Sequence, residues 1–123
     1  MAFLASLGLL AGCSAADGSA LSPKEFLTQS SEDETAVVLD VRTPGEYASG
    51  HIEGAVLLDF RDGQAFDEGI DALDKSKTYY IYCHSGNRSG RAAAEMKARG
   101  LKVVELQGGM IAWALSGLPT VTD

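Results

Sequence analysis

The chain has 123 residues, 46% of them hydrophobic and 22% charged, with a net charge of −7 at pH 7. That size suits one domain with a short extension, and its charges do not form the long blocks of a disordered chain. The acidic balance and the lack of a basic stripe argue against a nucleic-acid partner, and any anionic small molecule needs a local positive feature to draw it in.

Residues 2–11 are apolar but too few for a transmembrane helix, which needs roughly 20 residues. The run matches the hydrophobic core of a secretory signal, although no Lys or Arg precedes it. Leu10-Ala11-Gly12-Cys13 then resembles the bacterial lipobox. That resemblance implies cleavage before Cys13, lipidation of Cys13, and an exported protein anchored to a membrane and facing the periplasm or cell exterior. A plain cleaved signal is the alternative. Residues 1–12 are therefore expected to be a signal peptide, and residues 13–21 a lipidated cysteine with a tether of small residues. A single domain is expected over 22–121.

Ser22-Pro23-Lys24-Glu25 has the residues of a capping box and predicts a helix start. Residues 36–41 are a continuous apolar run interrupted by Asp40, which reads as a strand buried on both faces and hence parallel. Thr43-Pro44-Gly45-Glu46 repeats the capping pattern and opens a short helix through Ala48, ended by Gly50. A short strand is expected at 55–58, a helix near 65–73, a strand at 78–82 and a helix at 89–99. A strand at 102–106 and a helix at 110–115 follow. The alternation implies an α/β fold, a parallel sheet with helices on both faces. Sites in such sheets form outside the carboxyl ends of the strands.

Cys83 stands at such an end. Tyr82 closes a strand, and His84-Ser85-Gly86-Asn87-Arg88-Ser89 leads into a helix. A helix start offers unpaired N–H groups and the positive end of the dipole. A loop curled around the cysteine adds N–H groups, Gly86 permits a backbone angle closed to other residues, and Arg88 adds a permanent charge. All of these favour a thiolate, as nucleophilic sulfur chemistry requires. The plainer reading, a small buried hydrophobe at a strand end, leaves the Cys-x-x-Gly-x-Arg-Ser loop unexplained. Two cysteines and two histidines, with no short ligand pair but Cys83–His84, give no metal site and a poor disulfide scaffold.

Four segments carry a resemblance to a known family: residues 39–47, residues 50–55, residues 82–89, and the tail at 106–113 with Gly117-Leu118-Pro119. In this order they resemble the rhodanese family over residues 22–121. The resemblance implies a five-stranded α/β rhodanese-like fold and a Cys83 persulfide cradled by the backbone of residues 84–88. It implies a thiosulfate sulfurtransferase with no metal or organic cofactor. Its partners would be a small-molecule sulfur donor and a thiol or cyanide acceptor.

Asp40 and Arg42 follow the first long strand at the same sheet end and are possible supporting residues, or simply a structural pair. His51 reads as a hydrogen-bonded structural histidine, and Trp113 as core or pocket edge. Ser85 and Asn87 suit the loop's geometry and can donate to a sulfonate. Two other functions stay open. One is a non-enzymatic persulfide carrier or binding module. The other is a phosphatase or arsenate reductase of the same fold, whose loops are one residue longer than the four residues between Cys83 and Arg88.

Overall fold

Both capping boxes form. Ser22 Oγ accepts the Glu25 N–H at 3.3 Å while Glu25 Oε1 accepts the Ser22 N–H at 3.1 Å. Thr43 and Glu46 repeat the exchange at 3.3 and 3.0 Å. Each box satisfies N–H groups that a helix start leaves orphaned. The computed structural model describes residues 20–122. The apolar run at 2–11, Cys13 and most of the expected tether lie outside the described residues.

In chain order the elements are β1 (Ala20–Leu21), α1 (Pro23–Glu32), β2 (Ala36–Asp40), α2 (Pro44–Ser49) and β3 (Val56–Leu57). Then come α3 (Gly63–Asp71), β4 (Thr78–Tyr82), α4 (Asn87–Ala98), β5 (Lys102–Leu106) and α5 (Gly109–Leu115). The strands form one sheet in the order β1-β5-β4-β2-β3, and every pairing is parallel. The reading of 13–21 as tether fails at its last two residues. Ala20–Leu21 pairs with Glu105–Leu106, and Leu21 is buried. The apolar Leu21 gains by leaving water, and its carbonyl accepts the Gln107 N–H at 2.8 Å.

β4 is central, and its alternation divides the core. Tyr79, Ile81 and Cys83 face α3 and α4, packing with Leu39, Phe66 and Met96. Tyr80 and Tyr82 face the other layer, with Phe26, Leu106 and Trp113. Phe26 meets Tyr80 and Trp113 edge-on, with ring centroids 5.7 and 6.2 Å apart. Complete burial of such a ring contributes roughly 2–3 kcal/mol. The three tyrosines can be buried because each hydroxyl has a partner. Tyr79 donates to the Asp74 carbonyl and Tyr80 to Asp33 Oδ2, while Tyr82 accepts the Ile52 N–H. His51 is buried and hydrogen-bonded, with its Nδ1 2.9 Å from the Tyr47 carbonyl oxygen. It stacks on Tyr47 at 3.7 Å and pairs through its backbone with Val121.

Candidate active site

β4 ends at Tyr82, so Cys83 is the first residue beyond the sheet, and it is 1% exposed. The chain then turns through His84 and Ser85 to Gly86, whose φ of 103° lies in the left-handed region that glycine tolerates best. Gly86 is the N-cap of α4 and offers no side chain to cap it. That turn brings the Gly86 N–H back onto Cys83 Sγ at 3.0 Å. The helix starts at Asn87, two residues before the expected start, because the turn is completed by the sulfur rather than by a side-chain oxygen.

Ser89, fully buried, stands on the first turn of α4 with its Oγ 3.6 Å from Cys83 Sγ. Its hydroxyl also lies 3.3 Å from the Gly86 carbonyl. A hydroxyl rotates, so it accepts from the thiol and donates to the thiolate. Burial pushes the Cys83 thiol up. The Ser89 hydroxyl and the N–H groups of Ser89, Gly86 and Ser85 outweigh burial and hold it below its ordinary value. The thiolate is thus stabilised by hydrogen bonds at short range.

Arg88 has a different place from the one expected. Its guanidinium is turned to Glu46 on α2, bonding both carboxylate oxygens at 2.8 and 2.9 Å. The charge meant for the sulfur is largely matched by a carboxylate 42 residues earlier in the chain. Glu46 therefore serves twice, capping α2 and fixing Arg88. Sequence reasoning missed this pair, since nothing in either segment signals the other.

Asp40 and Arg42 form a buried pair at the same sheet end. Arg42 Nη2 lies 2.6 Å from Asp40 Oδ2 and 2.7 Å from the Gly50 carbonyl, and the Arg42 N–H donates to Asp40 Oδ1 at 2.9 Å. The guanidinium also lies 5.5 Å from the centre of the Tyr82 ring. These contacts tie β2, β4 and the turn after α2 together next to the Cys83 loop. Among the described residues, no hydrogen bond joins either side chain to Cys83.

Gly109 is the second residue that sequence reasoning passed over. The N–H groups of Met110 and Ile111 donate to the carbonyls of Cys83 and His84 at 3.0 and 3.1 Å. α5 thereby grips the loop from behind. A Cβ at Gly109 would sit 2.6 Å from both carbonyl oxygens, so only glycine allows that approach. The Gly108-Gly109 pair was the available signal, but it read merely as a helix boundary. Trp113, one turn further on, is core, with its Nε1–H donating to the Pro119 carbonyl at 2.9 Å.

His84, Ser85 and Asn87 are exposed. His84 lines two grooves. One, of about 580 Å³, runs past Ser85, Asn87 and Arg88 toward Phe60 and Arg91. The other, of about 640 Å³, runs past Arg42 and Glu46 toward Met110, Ile111 and Leu115.

Comparison with known proteins gives the same outline. Residues 22–116 match the description of the Rhodanese-like domain. An uncharacterised protein of Synechocystis sp. is 33% identical over 102 residues, which are 82% of this chain and 55% of that one. The chain thus spans little more than half the length of that relative. A sulfurtransferase of Allochromatium vinosum is 38% identical over 99 residues, covering 79% of this chain and 90% of its own. The crystal structure of a rhodanese-related protein from Thermoplasma volcanium superposes with a TM-score of 0.75 at 27% identity, covering 85% of this chain and 98% of the other. Together with the parallel five-stranded sheet and the loop after β4, this identifies the chain as a member of the rhodanese-like domain family.

Proposed function

We propose that the chain is a thiosulfate sulfurtransferase that carries sulfur on Cys83. The observation that carries this reading is the Gly86 N–H held 3.0 Å from Cys83 Sγ inside a short loop. N–H groups that favour a thiolate favour equally the anionic outer sulfur of a persulfide.

The cycle has two displacements. The Cys83 thiolate attacks the sulfane sulfur of thiosulfate. The sulfur–sulfur bond of the donor breaks, and its electron pair leaves with sulfite. A nucleophilic acceptor, cyanide or a thiolate, then attacks the outer sulfur of the persulfide. Cyanide departs as thiocyanate and a thiolate as its own persulfide, and the Cys83 thiolate is regenerated. No net oxidation occurs, because each step exchanges one nucleophile for another at the same sulfur.

Mass spectrometry of the chain after incubation with thiosulfate tests the first half. A gain of one sulfur atom on Cys83, discharged by cyanide, is the expected result. Cys83→Ser should take up none and keep its fold. An equal gain in that variant would end the proposal. Repeated turnover separates an enzyme from a carrier that is loaded once.

The proposal extends to location. The Leu10-Ala11-Gly12-Cys13 motif supports export and lipid anchoring at Cys13. Dual acylation binds a membrane stably where a single chain does not. Cys13→Ser should move the protein to the soluble fraction with its sulfur chemistry intact. A native chain that keeps Met1 and fractionates as soluble would refute the anchoring.

A further inference from the structure

The groove that runs from His84 to Arg91 carries more positive charge than the loop itself uses. Arg91 lies on α4 three residues after Arg88, on the same helix face. Its guanidinium carbon is 5.4 Å from the centre of the Phe60 ring. Phe60 is itself fixed. Its N–H donates to the Val41 carbonyl at 3.2 Å, and its ring meets Phe66 edge-on at 5.0 Å. Arg61 follows at once, its N–H held by Asp59 Oδ1 at 2.9 Å. Both arginines line the groove with the loop residues.

Two acids line it as well, Asp67 and Glu95, and they share Arg99 with Asp71, at 3.5, 3.9 and 2.7 Å respectively. Among the described residues neither Arg61 nor Arg91 forms an ion pair. Arg88, by contrast, is matched by Glu46. In a chain of net charge −7, two guanidinium groups beside the Cys83 loop with no ion pair among the described residues are a local positive feature that a small anion can meet. A groove of about 580 Å³ is also far larger than one thiosulfate ion needs and falls in the range of sites for small organic molecules.

We propose that Arg61 and Arg91 form a recognition subsite for the anionic end of the sulfur donor, selecting donors whose sulfane sulfur is joined to a sulfonate or to a carboxylate-bearing group. The inference rests on the sulfurtransferase reading and adds the residues that choose the donor. Two sources share this chemistry. One is the sulfonate of a thiosulfonate or of thiosulfate. The other is the carboxylate of a low-molecular-weight thiol persulfide, from which Cys83 takes the outer sulfur while the parent thiolate leaves. Arg61 and Arg91 take no part in either displacement; they are positioning residues.

Iodoacetate and iodoacetamide deliver the same carbon to a thiolate and differ in charge, so their rates at Cys83, followed by peptide mass, test the subsite without any sulfur donor. The ratio of anionic to neutral rate in the native chain should exceed that of a free cysteine by about tenfold at low salt and shrink as salt screens the charges. The double variant R61Q/R91Q should lose that excess with its iodoacetamide rate unchanged. R61K/R91K should keep most of it. K24Q/K75Q, an equal charge change at two lysines off the groove, should leave it as it is. Uptake of sulfur from thiosulfate and from glutathione persulfide then shows which anion the subsite favours, by which donor loses about tenfold in R61Q/R91Q. A ratio that R61Q/R91Q does not alter overturns the proposal, as does a Cys83 that neither reagent reaches. A native chain that shows the ratio yet takes sulfur from no donor would keep the subsite and remove the sulfurtransferase reading instead.

Discussion

Glu46 Oε1 accepts from both the Thr43 N–H and Arg88 Nη1, at 3.0 and 2.8 Å, so one carboxylate caps α2 and anchors the far side of the Cys83 loop. The Arg88 guanidinium and the Thr43 groups hold the Glu46 carboxyl down to about 2, against an ordinary 4.5. A depressed carboxylate stabilises the fold above its unfolded value, and that contribution disappears as pH falls through the folded value. Glu46→Gln should therefore cost about 1 kcal/mol at neutral pH, a figure limited by solvent screening of a partly exposed pair. The gap between native chain and variant should narrow between about pH 4.5 and pH 2. Urea unfolding at pH 7 and pH 3 measures it. An equal gap at both would show that the pair contributes nothing through its charge.

Ser89→Ala removes a hydroxyl from beside Cys83 Sγ, and alanine, the best helix former, suits the first turn of α4. The thiol should move up toward its ordinary value, because the N–H groups remain and the hydroxyl does not. A hydrogen bond to a charged group contributes about 1.5–3 kcal/mol, so alkylation of Cys83 at neutral pH should slow roughly tenfold. The pH profile of iodoacetamide reaction reads this directly. A profile unmoved by the substitution would assign the thiolate to the backbone alone.

Gly109→Ala places a methyl group 2.6 Å from the carbonyl oxygens of Cys83 and His84, in a backbone with φ of +60°. Neither backbone oxygen can swing aside as a long side chain would. The expected cost is about 2–3 kcal/mol, with a loss of sulfur transfer larger than the loss of folded protein accounts for. Thermal unfolding and single-turnover loading, measured on the same sample, separate the two. A variant of native stability and native loading would mean that α5 does not set the loop.

Asp40→Asn leaves Arg42 buried opposite a neutral amide. Asp40 is wholly buried and Arg42 almost so, so water cannot take over the lost interaction. Removal of one member of such a pair costs about 3–5 kcal/mol, and the amide, which keeps one acceptor, should put this variant near the lower figure. Denaturant unfolding tests it. A loss below about 1 kcal/mol would place the pair in the class of surface bridges.

Strands 78–82 and 102–106 could be read to the residue, because β-forming runs there are bounded by turn residues and helix ends. The two capping boxes are local patterns and were equally legible. β1 was not. A two-residue strand has no periodicity, and Ala20–Leu21 follows a stretch of small residues that reads as tether. The site divides in the same way. Cys83, Gly86 and Ser89 lie within one short segment, so their neighbourhood was visible in the chain. Glu46, Arg61 and Gly109 reach the loop only through folding, from 37 residues before Cys83, 22 before and 26 after. No local pattern marks a contact across such spans.

The sheet's margins bear on how such a protein can be kept at high concentration. Its outermost strands, β1 and β3, have two residues each, against five in each strand between them. Short edge strands blunt a sheet against pairing with another chain. At about 3.3 Å per residue, the described part of either outermost strand offers an arriving strand a ladder of only about 7 Å. Val56, more than half exposed on β3, would otherwise sit on an inviting edge. Among the described residues, each outermost strand is therefore too short to template much pairing by itself.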